Sequence, residues 1–375
     1  MYIADMHCDT IMQLWLARLR GEKIHFRNSG NGEDALQIDL AKLKQGGSLL
    51  QHFALYVDLK LPVDFDGSVE SSALARTSAQ EAEKYISPWY QYEEMLKVYQ
   101  EEMAANADLI RQVKTYEDIL QCQKDGVIAS MLSIEEGGAI EGDISRLQTV
   151  YDAGVRMMTL TWNFENELGY PNEADSRSDE DYSYYFKFQP ATGNGLKQRG
   201  KEAVLEMERL GILPDVSHLS DEGFYDLAKL IKGPFVASHS NARALAGCNR
   251  NLTNDMIRIM GEHGGVIGLN FCPDFLQEGA REEDCLSTVE TMAKHAKHMM
   301  DVGGREVVGI GTDFDGIGKD RLEIGDFSQM QKLVDGFERA GLKPDVIEGI
   351  CYKNVLKVYK EVLKKDCIYH IVLFD

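Results

Sequence analysis

"VVGIGTDFDG", residues 307–316, is a short apolar run, punctuated by glycines, that ends on two carboxylates, Asp313 and Asp315. It reads as a β-strand with charge at its C-terminal end. Runs of the same kind recur at Tyr2–Asp9, Leu49–Leu59, Gly126–Glu136, Val155–Trp162, Ile212–His218, Pro234–Ser240 and Val266–Phe271, so that with Val307–Asp313 eight strands are predicted. Longer stretches with helical periodicity separate them. In "RGKEAVLEMERLG" (199–211), Ala203, Val204, Met207 and Leu210 fall on one helical face, and Gly211 is placed to end the helix. "STVETMAKHAKHMMDVGG" (287–304) is another such segment, also closed by glycine. Strands alternating with helices pair in parallel, and eight such units predict a closed (β/α)8 TIM barrel, with an open doubly wound sheet as the alternative. The expectation is one barrel domain over 1–375. Two segments exceed what a barrel needs: Lys60–Lys124 after the second strand, and Asn163–Gly193 after the fourth, a candidate lid.

With 44% hydrophobic and 27% charged residues, the composition is that of a globular chain with a substantial core. A net charge of −21 disfavours nucleic-acid and anionic-membrane partners but not cations. Seven cysteines, irregularly spaced and without a C-x-x-C pair, predict no disulfide framework and a cytoplasmic location. The closing "CIYHIVLFD" is too short to span a bilayer, and no signal peptide is expected ahead of Tyr2.

The rare polar residues fall where strands end. "MHCD" carries His7 and Asp9, "SIEEGG" Glu135 and Glu136, "PDVSH" Asp215 and His218, "VASHS" His239, and "GTDFDG" Asp313 and Asp315. In a barrel these ends meet on one rim, although more than 300 positions separate the first from the last. Imidazoles and carboxylates gathered there without a cation would leave buried charge unpaired, at several kcal/mol per group. A divalent metal resolves the conflict; nitrogen and oxygen donors suit zinc, with manganese, iron or cobalt as alternatives. A second "DFDG", Asp64–Gly67, follows no such strand and reads as a turn. Cys8 should point away from its neighbours, and His295 and His298 should flank the packed face of their helix.

These residues, with "TLTW" (159–162), "GLKQRGKEAVLEMERLGI" (195–212), "SHSNARAL" (238–245), "CNRN" (248–251) and "HMMDVGG" (298–304), resemble the membrane (renal) dipeptidase family in order and spacing along most of the chain. The resemblance implies a (β/α)8 zinc peptidase of the metal-dependent amidohydrolase superfamily, with two zinc ions bridged by a glutamate and by water or hydroxide. It implies that His7 and Asp9 hold the first metal, Glu136 bridges both, and His218 and His239 complete the second site. Asp313 becomes the general acid/base and Arg250 the partner of the substrate's C-terminal carboxylate, a bidentate task that suits a planar guanidinium. Only one of Glu135 and Glu136 can face the interior of a strand-built barrel; the family pattern selects Glu136. The chain departs from the family at Trp162, where better-known members carry a histidine that contacts the substrate carbonyl oxygen; Asn163 or Asn166 is the candidate replacement donor. The expected substrate is a small dipeptide, L-L or L-D, and the family suggests a homodimer. Two alternatives stay open: an amidohydrolase acting on a non-peptide amide or as a deaminase, and a metal-binding barrel without catalysis.

Overall fold

The computed structural model describes residues 1–59, 87–172, 194–278 and 282–363. Among them nine parallel strands form one sheet: β1 (Ile3–Asp5), β2 (Ser48–Tyr56), β3 (Ile110–Gln112), β4 (Ile128–Glu135), β5 (Val155–Thr159), β6 (Leu213–Asp215), β7 (Val236–Ala237), β8 (Val266–Leu269) and β9 (Val308–Ile310). Their order is β2-β1-β9-β8-β7-β6-β5-β4-β3, and β2 also pairs with β4 over seven residues, from Leu50↔Ala129 to Tyr56↔Glu135. That pairing closes eight strands into a ring, the expected barrel. Strand β3 lies outside the ring, paired only with the first residues of β4.

Strand β3 is the element the sequence did not announce. It falls inside Lys60–Lys124, the segment read as more than a barrel needs, and only Ile110 of its three residues is buried. The eight ring strands were located, but most are shorter than expected. The ladder stops at Asp5, Thr159, Asp215, Ala237 and Ile310, so His7, Asp9, Trp162, His218, His239 and Asp313 lie in the loops that follow. Helices cover the outside, and several end on a glycine; Gln198–Leu210 closes on Gly211 in the left-handed conformation. The first "DFDG" and most of the candidate lid lie outside the described residues.

Inside the ring, alternate residues of each strand share a face. Tyr56 and Glu135 point into the mouth, and Leu50, Ala129 and Met131 on the same faces belong to a buried cluster with Ala4, Met157, Leu213, Val236 and Val266. Val355, Val358 and Tyr359 of the helix Asn354–Val362 close this cluster from the opposite end. The Tyr359 hydroxyl hydrogen-bonds His52 Nε2 inside the barrel, which gives that histidine a structural place. The barrel is thus plugged with apolar side chains at one end and presents polar ones at the other. Among the described residues no helix is long and apolar enough to cross a membrane.

Candidate metal centre

Five strand-to-loop junctions, after β1, β4, β6, β7 and β9, bring the predicted residues together. His7 Nε2 stands 3.5 Å from Asp9 Oδ2, 3.4 Å from Glu135 Oε2 and 4.0 Å from Asp313 Oδ1. The other oxygen of the same glutamate, Oε1, is 3.2 Å from His218 Nε2 and 3.5 Å from His239 Nε2. The two imidazole Nε2 atoms of His218 and His239 are 3.1 Å apart, and the rings of His7 and His239 stack at 3.8 Å. Three groups of potential ligand atoms result: His7 with Asp9 and Glu135, Glu135 with His218 and His239, and His7 with His239 and Asp313. Cys8 is in none of them; its thiol turns away to the carbonyl of His52.

The expectation for Glu136 is corrected by this geometry. Strand β4 ends at Glu135, whose side chain keeps the inward parity of Met131 and Ser133. Glu136 is the first residue of the turn, with φ at +82°, and its carboxylate points away from the imidazoles. It accepts hydrogen bonds from the backbone N–H of Gly138 at 2.6 Å and of Trp162 at 2.8 Å, and from Asn166 Nδ2. The family pattern selected the first residue of the turn; the glutamate that faces the imidazoles is its neighbour, the last residue of the strand.

The backbone is strained where the cluster forms. Glu136, His218, Asp313 and Asp315 all have φ between +64° and +82°, a region that side chains other than glycine occupy at a cost of about 1–3 kcal/mol each. Local bonds sustain the cost. Asp315 accepts from Thr10 Oγ1 at 2.7 Å and from the backbone of Gln37 and Ile38, which pins the turn after His7 and Asp9. Asp313 Oδ2 accepts from Asn270 Nδ2 at 3.0 Å.

A layer beneath orients the imidazoles. His218 Nδ1 faces Asn163 Oδ1 at 2.8 Å, and His239 Nδ1 faces Ser238 Oγ at 2.7 Å. Ser238 in turn donates to Asp215, which also accepts from Thr159 Oγ1 and two backbone N–H groups. Outer partners of this kind fix a ligating imidazole's tautomer and aim. Asp215 is visible in the sequence as a strand-end carboxylate, with no task assigned to it there. Asn270 has the same signal, since the run Val266–Phe271 also carries a polar residue near its end. Asn166 is used up beneath the site, donating to Glu136 and to the carbonyl of Leu160, so of the two candidate replacement donors only Asn163 lines the cavity.

The electrostatics are unbalanced without a cation. Burial, with Asp9 and Asp313 nearby, pushes the Glu135 carboxyl up to about 8 despite His7; burial, with Asp9 nearby, pushes Asp313 up to about 6. Burial opposes charge on His7 as well, but Glu135 and Asp9 raise its pKa well above the ordinary value. His7 Nε2 and Asp9 Oδ1 are buried and have no hydrogen-bond partner among the described residues. Orphaned polar atoms of this kind are rare unless something else satisfies them. Nitrogen and carboxylate-oxygen donors within 4.8 Å of one another fit a divalent metal.

The cluster forms the floor of a cavity of about 260 Å³, walled by Met12, Tyr56, Trp162, Asn163, Phe275 and Ile317 among others. Arg250 is 2% exposed and makes no ion pair with any described residue; its guanidinium donates to the carbonyl of His239 and to Ser240 Oγ, leaving Nε unpartnered. The loop carrying it is braced by a two-pronged Arg243–Asp221 pair and by His295, which accepts from Ala242 N–H and donates to the carbonyl of Leu276.

Comparison with known proteins agrees with this arrangement. An uncharacterised protein from the pqqA 5′ region of Klebsiella pneumoniae is 32% identical over 72% of this chain and 95% of its own. The crystal structure of dipeptidase AC, a metallopeptidase, superposes with a TM-score of 0.79 at 26% identity, covering 97% of this chain and 99% of that one. A metallopeptidase from Rhodobacter sphaeroides, liganded with a phosphinate mimic of the dipeptide L-Ala-D-Ala, gives 0.78 at 26% identity with the same coverage. The family model for membrane dipeptidase, peptidase family M19, matches residues 1–366, and the chain therefore belongs to that family of metal-dependent dipeptidases.

Proposed function

We propose that the protein is a binuclear zinc dipeptidase that hydrolyses the amide bond of small L-L and L-D dipeptides. The observation that carries this reading is the attitude of Glu135: one carboxylate oxygen faces His7 and the other faces His218 and His239. A carboxylate so placed serves two cations, one held with His7 and Asp9 and one with His218 and His239. When bound, such a pair supplies a hydroxide nucleophile at neutral pH and a Lewis acid for the amide oxygen.

The remaining work falls to this chain's own side chains. Asp313, held by Asn270 beside His7, takes a proton at Oδ1 and returns it to the leaving amine. Arg250, a buried guanidinium that makes no ion pair with any described residue, takes the substrate's free carboxylate and so favours dipeptides over longer chains. The small cavity sets the same limit. The structure in complex with an L-Ala-D-Ala mimic, at 26% identity, supports inclusion of L-D substrates. Six free cysteines among the described residues support the reading of a reducing, cytoplasmic environment.

Stripping metal with a chelator and restoring zinc, against a panel of L-L and L-D dipeptides, cyclic amides and nucleobases, tests the assignment. Dipeptide hydrolysis that is lost on stripping and regained with zinc is expected. Turnover confined to cyclic amides or nucleobases would favour the non-peptide amidohydrolase instead, and tight metal binding with no turnover at all would favour the non-catalytic barrel.

A further inference from the structure

The proposed function places the substrate's C-terminal carboxylate at Arg250, and the ring order then locates its other end. Arg250 lies in the loop after β7, and Phe275, 5.2 Å from its guanidinium, lies after β8. Around the closed ring β8 is four strands from β4 in either direction. The strands flanking β4 are β2, which ends on Tyr56, and β5, whose following loop carries Trp162. Both side chains line the cavity. A dipeptide with its carboxylate on the β7–β8 side and its amide over the ligand cluster therefore extends its N-terminal residue toward Tyr56 and Trp162.

That sector is built as an apolar wall. The Trp162 indole meets the Tyr56 ring edge-to-face at 4.9 Å and Phe164 at 5.3 Å, and lies 5.9 Å from the His218 ring. Its backbone N–H is held by Glu136, the buried carboxylate that also grips Asn166 and Gly138. The indole is thus a fixed surface. Among the described residues, and apart from the ligand cluster, the polar groups lining this sector are the neutral Asn163 side chain and the Tyr56 hydroxyl.

We propose that Trp162, backed by Tyr56, receives the side chain of the substrate's N-terminal residue and selects apolar and aromatic ones. This rests on the dipeptidase reading above. Side chains differing by a few methylenes in an apolar site are discriminated by about 10- to 200-fold.

The test compares kcat/KM of the zinc-loaded enzyme for Leu-Ala, Phe-Ala, Gly-Ala and Asp-Ala, and for Ala-Leu, Ala-Gly and Ala-Asp, in wild type and Trp162→Ala. Preference for Leu-Ala and Phe-Ala by about tenfold or more, collapsing to within about twofold in the variant while the C-terminal series keeps its order, supports the proposal. An N-terminal preference that survives Trp162→Ala, or loss of C-terminal preference instead, overturns it. As a second readout, a phosphinate mimic of Leu-Ala should change tryptophan fluorescence in wild type but not in Trp162→Phe; equal changes in both overturn the proposal. Failure of wild type to cleave any dipeptide contradicts the peptidase reading itself. Cleavage with unchanged selectivity contradicts only the indole wall.

Discussion

Glu135 and Glu136 are chemically identical and adjacent, yet their carboxylates do different things because one closes a strand and the other opens a turn. Glu135 meets three imidazoles. Glu136 meets only neutral donors, and burial pushes its pKa up to about 7 against the pull of those bonds. At this scale the sequence was least legible: residue type and spacing brought both glutamates to the rim, but parity at a strand end depends on where the ladder stops. His7, Asp9, His218, His239 and Asp313 were readable as rim residues because a polar side chain at the end of an apolar run is costly and so conspicuous, whereas Arg250, in the loop after β7, was suggested only by the family resemblance. Asp313 carries a sharp expectation. Asp313→Asn keeps the shape and the Asn270 contact but cannot cycle a proton, so kcat should fall by at least about a hundredfold with zinc content unchanged. Steady-state kinetics alongside metal analysis checks it, and near-normal turnover would remove Asp313 from the acid/base role.

The eight ring strands and the helices between them were readable from periodicity, but their lengths were not. Strand β7 has only two residues, and the polar residues counted as its end lie in the loop. The same displacement holds for β1, where His7 and Asp9 follow the last ladder residue and meet through the turn, not through strand alternation. Strand β3 escaped notice because one buried residue makes no pattern. The turn after β9 shows how tightly such junctions are set. A methyl group on Gly316 would come within 2.1 Å of Asp9 Oδ2 and 2.8 Å of Asp313 Oδ1, so the carboxylates can approach only because residue 316 has no side chain. Gly316→Ala should push Asp9 off its place and weaken metal binding by about 10- to 100-fold, the scale of other disturbances to ligand support, with a smaller change in thermal stability. Titration of the stripped variant with zinc measures it; wild-type affinity would mean that the turn yields freely.

Over the whole molecule, the barrel sorts its interior along the axis, apolar cluster and C-terminal helix at one end and imidazoles with carboxylates at the other. Ligand candidates from positions 7 to 239 converge only through ring closure, and the resulting pocket holds like charges and orphaned atoms that bound metal would satisfy. The fold and the convergence could be anticipated from sequence because both follow from where strands end; which side chain spans the two halves could not. The most direct measurement is therefore the zinc content per chain of Glu135→Gln and Glu136→Gln, purified side by side with wild type. Two equivalents in wild type and in Glu136→Gln, with one or none in Glu135→Gln, is the expected result. Two equivalents retained by Glu135→Gln, with loss in Glu136→Gln, would contradict it.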